Sequence, residues 1–122
     1  MAKFHILIVE DDDDIRELLG DCLDELGYRV STVSRGDTAR LILDRMDVDL
    51  LLSDELLFGE RGRKLAEYAR SLGVPTLLMS AHNEIKREFE RASVNFIGKP
   101  FRLDKLHEQV TRILAEPKAQ RG

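Results

Sequence analysis

An α/β fold on a parallel sheet is what this sequence predicts, and three observations carry it. Short apolar runs alternate along the chain with segments of helical spacing, five of each. The runs are nearly continuous in Ile, Leu and Val, as in strands covered on both faces. A length of 122 residues with 43% hydrophobic content suits one domain.

The elements follow in order. Phe4 to Val9 reads as the first strand. Ile15, Leu18, Leu19, Cys22, Leu23 and Leu26 recur at helical spacing, and Gly27 stops that helix. Tyr28 to Val33 is the second strand, and Arg35 to Met46 is the second helix, through Ala39, Ile42 and Leu43. Val48 to Ser53 is the third strand and ends on Asp54. A loop from Glu55 to Gly62 contains Gly59 and Gly62. Lys64 to Leu72 is helical and closes at Gly73. Val74-Pro75 leads into a fourth strand, Thr76 to Ser80. Asn83 to Arg91 is a polar helix, Val94 to Ile97 a short fifth strand, and Leu103 to Leu114 the last helix. Residues 1–122 are thus expected to form one domain, with its core at about 4–115 and a loose tail at 116–122.

Composition excludes several classes of function. The single cysteine, Cys22, rules out an internal disulfide and a multi-cysteine metal site. A net charge of −4 without a basic stripe gives no footprint for nucleic acid. No apolar run approaches the roughly 20 residues of a membrane span, and the N-terminus is unlike a signal peptide. A cytoplasmic protein without direct nucleic-acid or membrane contact is expected.

Sites in open parallel sheets form beyond the carboxyl ends of the strands. Glu10-Asp11-Asp12-Asp13-Asp14 follows the first strand, Asp54 ends the third, Ser80 ends the fourth, and Lys99-Pro100 follows the fifth. Asp12 to Asp14 suit a helix N-terminus, where carboxylates cap free amides. Glu10 and Asp11 precede that helix. Carboxylates converging at about 4 Å repel by several kcal/mol per pair, which a divalent cation such as Mg²⁺ relieves. Carboxylates, a hydroxyl and a lysine around one metal suit phosphoryl transfer, with one carboxylate as the covalent nucleophile.

These residues carry a family resemblance. Ile6-Leu7-Ile8-Val9-Glu10-Asp11-Asp12, Asp49-Leu50-Leu51-Leu52-Ser53-Asp54, Pro75-Thr76-Leu77-Leu78-Met79-Ser80-Ala81 and Lys99-Pro100-Phe101 stand in order at the strand ends. From about Phe4 to Leu114 the chain resembles a CheY-like receiver domain of a two-component response regulator. The resemblance implies a doubly wound, flavodoxin-like (βα)5 fold with strand order 2-1-3-4-5. It implies that Asp54 accepts a phosphoryl group from a phosphohistidine of a sensor histidine kinase or phosphotransfer protein. Asp11 and Asp54 would bind Mg²⁺ directly, Glu10 through water, and the Leu56 carbonyl would complete the protein ligands. Lys99, aimed by a cis bond to Pro100, would pair with the phosphoryl oxygens, and Ser80 would donate its hydroxyl to them.

The same resemblance makes Ser80 and Phe96 the switch residues. They would alter the surface made by the fourth helix, fifth strand and fifth helix. Leu56 and His82 would tune the lifetime of the phosphorylated state; apolar Leu56 cannot orient an attacking water, so slow self-dephosphorylation is expected. Glu55, Phe58, Glu60-Arg61 and Ala92 depart from the family's usual pattern. Glu55 is expected to add negative charge beside the metal site, and Phe58 to be a partner contact if exposed. Ile15 is a candidate kinase contact, with inward packing beside Leu18 or Leu19 the alternative. The charged fourth helix reads as a solvated face or, less often, an interface.

The expectation is a stand-alone switch, since the tail after Ala115 is too short for an effector domain, acting as a monomer or a phosphorylation-dependent dimer on an unknown protein target; a phosphorelay intermediate and a receiver piece of a larger protein are the alternatives. Its own phosphorylation and dephosphorylation chemistry is not that of a metabolic enzyme. Three rivals are weaker. A dehalogenase-like phosphatase needs a second Asp where Leu56 stands, and a nucleotide-binding flavodoxin-like protein needs a glycine-rich cradle. A degenerate receiver acting as a binding module would have been free to lose one of Glu10, Asp11, Asp54, Ser80 and Lys99.

Overall fold

The computed structural model describes residues 3–81 and 94–116. Strand β1 (His5–Val9) leads into helix α1 (Asp13–Glu25), then β2 (Arg29–Val33), α2 (Gly36–Arg45) and β3 (Leu50–Asp54). Two short strands follow, β4 (Leu56–Leu57) and β5 (Glu60–Arg61), then α3 (Gly62–Ser71), β6 (Thr76–Ser80), β7 (Asn95–Gly98) and α4 (Leu103–Leu114). The predicted helix at 83–91, with His82 and Ala92, lies outside the described residues, as does the tail from 117 to 122.

The main sheet has five strands in the order β2-β1-β3-β6-β7, all pairs parallel. Counting only these strands along the chain, that is the 2-1-3-4-5 order the resemblance implies. The continuous apolar runs are explained by burial on both faces. Ile6 and Ile8 of β1 pack with Leu19 and Leu23 of α1 and Val110 of α4. Leu7 and Val9 point the other way, into a second core with Leu43 of α2 and Leu65 of α3.

Local chemistry sets the helix ends. Asp12 caps α1 by accepting from the Ile15 amide at 3.0 Å. Gly27 and Gly73 have φ of 96° and 78°, the left-handed conformation that closes a helix at little steric cost.

Two regions differ from expectation. The apolar stripe of α1 is wider than the part that packs: Leu19 and Leu23 are buried, whereas Ile15 and Leu18 are exposed. The inward alternative for Ile15 therefore fails. The segment after Asp54 is not an open loop but a hairpin, in which Leu56 pairs with Arg61 and Leu57 with Glu60. Phe58 and Gly59 form its turn, and Gly59 supplies a φ of 80°. Glu60 fastens the hairpin to α2 through an ion pair with Arg40, leaving Phe58 77% exposed at the tip.

Candidate functional site

Parallel strands present their carboxyl ends at one edge, so residues far apart in sequence meet there. Register places Val9 beside Ser53, Asp54 beside Met79 and Ser80 beside Gly98. Glu10, Asp11 and Asp54 each offer a carboxylate oxygen, and these oxygens lie within 4.8 Å of one another. Lys99 reaches into the group from the end of β7. Its Nζ donates to Glu10 Oε1 at 3.0 Å and to Asp54 Oδ2 at 3.1 Å. The Lys99 amide donates to the Ser80 carbonyl at 2.7 Å, and the Lys99–Pro100 bond is cis, as the resemblance implies.

The electrostatics follow from burial. Glu10 is 1% exposed, and burial holds its carboxyl above the usual range. The hydrogen bond from Lys99 opposes that shift and the charge of Asp54 reinforces it. Burial pulls the Lys99 ammonium downward, but the hydrogen bond to Glu10 and the charges of Asp54 and Glu10 outweigh it, leaving Lys99 above its ordinary value. One buried oxygen, Glu10 Oε2, has no hydrogen-bond partner among the described residues. A set of hard oxygen donors with one buried oxygen unsatisfied fits a hard divalent cation such as Mg²⁺.

Ser80 is buried at the end of β6, and Phe96 is half-buried on β7 beside Leu78. The Leu56 side chain is exposed at the start of the hairpin. His82 lies outside the described residues.

Three supporting residues escaped the sequence reading. Arg16 donates to the Glu10 carbonyl at 2.9 Å and to Asp13 at 2.6 Å, bracing the turn that holds Glu10 and Asp11. Its spacing of three from Asp13 was the only available signal. Gly62 packs against the end of β3 so closely that a Cβ there would overlap the Asp54 carbonyl oxygen and lie 2.9 Å from Glu55 Cα. Arg63 pairs with Glu55, which corrects the expectation for that acid. Glu55 is fully buried and turned to Arg63 Nε at 2.8 Å, outside the group of three carboxylates.

Comparison with known proteins agrees with this geometry. The response regulator receiver domain matches residues 6–111. The chain belongs to the response regulator receiver family. The DNA-binding transcriptional regulator NtrC of Bradyrhizobium sp. (strain RP501 Parasponia) is 31% identical over 97% of this chain and 26% of its own length. The transcriptional regulatory protein GltR of Pseudomonas aeruginosa is 31% identical over 89% of this chain and 48% of its own. The chain thus spans about a quarter to a half of these curated relatives.

Among solved receiver-fold structures, a putative response regulator from Chloroflexus aurantiacus superposes with a TM-score of 0.82 at 30% identity, covering 94% of this chain and 100% of that one. The response regulator TrrA of Thermotoga maritima, solved in complex with Mg²⁺ and BeF, gives 0.81 at 27% identity, covering 90% and 98%. No helix among the described residues is long and apolar enough to cross a membrane.

Proposed function

We propose that this receiver domain is a phosphorylation switch with Asp54 as its acceptor. The observation that carries the reading is the meeting of Glu10, Asp11 and Asp54 within 4.8 Å, bridged by Lys99. An Asp54 carboxylate oxygen attacks the phosphorus of a phosphohistidine on a sensor histidine kinase or histidine phosphotransfer protein. As the O–P bond forms, the N–P bond breaks and the imidazole nitrogen keeps the electron pair. Lys99 holds the phosphoryl oxygens, and the Ser80 hydroxyl donates to them. The Asp11 and Asp54 carboxylates, Glu10 and the Leu56 carbonyl would hold Mg²⁺, which offsets the negative charge of acceptor and phosphoryl group.

In the phosphorylated state Ser80 and Phe96 bias a two-state surface that includes β7 and α4. This domain, as a monomer or a phosphorylation-dependent dimer, presents that surface to a protein target in the cytoplasm, and Leu56 and His82 set the lifetime. Intact mass after incubation with acetyl phosphate or phosphoramidate tests the reading. The expected result is a gain of one phosphoryl group that requires Mg²⁺ and is absent in Asp54→Asn; no gain from either donor overturns it.

A further inference from the structure

Glu55 lies between the acceptor Asp54 and Leu56, whose carbonyl is the remaining protein ligand in the proposed site. It is held at four points. Its amide donates to the Met79 carbonyl at 2.8 Å, and its carbonyl accepts from the Gly62 amide at 2.8 Å. Its carboxylate accepts from Arg63 twice, from the backbone amide at 3.0 Å and from Nε at 2.8 Å. The Glu55 side chain is 0% exposed and that of Arg63 is half-buried, so a buried carboxylate is paired at the surface edge between the turn after Asp54 and the first turn of α3. A carboxylate one residue from Asp54 would otherwise be a fourth anion at a site whose three acids already crowd one another.

We propose that Arg63 is a positioning residue for the cation site. By holding the Glu55 carboxylate, it commits that acid to α3 and steadies the turn that leads into Leu56. Glu55 and Arg63 act as one unit through the Nε bond, while the Arg63 backbone amide keeps its own bond to the carboxylate whatever the side chain. This rests on the Mg²⁺ and Asp54 reading above.

The test is calorimetric titration of the full chain with Mg²⁺, beside acetyl phosphate labelling and the thermal midpoint in EDTA. Arg63→Gln is expected to weaken Mg²⁺ binding by about tenfold, the usual cost of losing an outer-shell partner. Arg63→Lys, which keeps the charge but loses the fork, should recover part of that loss, and it serves as the working variant if Arg63→Gln does not fold. Glu55→Gln alone completes the cycle, and Glu55→Gln/Arg63→Gln together should weaken binding no more than the worse single change, because coupled residues are not additive. Variants that bind Mg²⁺ as the wild type does while melting earlier would overturn the proposal and leave a purely structural pair, as would fully additive losses. A wild type that neither binds Mg²⁺ nor gains a phosphoryl group would instead overturn the reading beneath it.

Discussion

His5 and Glu10 stand at opposite ends of β1, and both are buried, 2% and 1% exposed. The His5 ring is satisfied on both sides. The Asp47 carbonyl accepts from Nδ1 at 2.9 Å, and Nε2 is hydrogen-bonded to the Ser31 hydroxyl at 2.8 Å. Glu10, by contrast, spends one carboxylate oxygen on Lys99, and the other has no partner among the described residues. A buried polar group with every bond made stiffens a fold, whereas one with capacity left over costs stability and suits a ligand. One end of the strand is built to hold and the other to bind.

That contrast can be broken or sharpened by substitution. The largest effect is steric and belongs to the binding end. Gly62→Ala places a methyl group against the Asp54 carbonyl and Glu55 Cα, backbone atoms with no side chain to move aside. A loss of about 3 kcal/mol in urea unfolding is expected, with weakened acceptance at Asp54. His5→Leu should cost about 2 kcal/mol, because it removes both hydrogen bonds of the buried ring. An unchanged midpoint would mean the holding end is no firmer than the other.

The smallest effect has the opposite sign. Glu10→Gln removes a charge from a buried position and keeps an oxygen for Lys99, so it should stabilise the metal-free protein by about 1 kcal/mol while weakening Mg²⁺ binding. The gain should depend on pH. Burial raises the Glu10 carboxyl above 4.5 in the folded state, so the folded protein binds its proton more tightly than the unfolded chain. The destabilising charge is fully present above the raised value and is relieved as pH falls toward 4.5. The difference between Glu10→Gln and wild type, measured in EDTA, should therefore shrink on acidification through that window. A constant difference would show that charge burial is not its cause. Lys99 does not confound the comparison: its raised value keeps it protonated, and its ion-pair stability is lost only as pH climbs above 10.5.

Legibility in the sequence followed the range of each interaction. Glu10, Asp54, Ser80 and Lys99 were readable because each falls at a strand end, and strands announce themselves through apolar runs. Asp12 was readable as a cap because capping is local. Ile15 and Leu18 were not, since helical spacing reports that a residue lies on the apolar side but not how far the sheet reaches around it. The pairing of Glu55 with Arg63 spans eight positions across a hairpin, with no periodic signal to reveal it.

The order of apolar and polar segments by itself determined the α/β class, and the residue types at the strand ends determined an acidic, lysine-bearing site. Tertiary structure decided which acids share that site. Three carboxylates converge because parallel strands end at one edge, and the fourth is drawn away by an arginine that the fold alone brings beside it. Charge identity is written in the chain, but Coulomb energy depends on distance and burial, and both are set only when the sheet and helices pack.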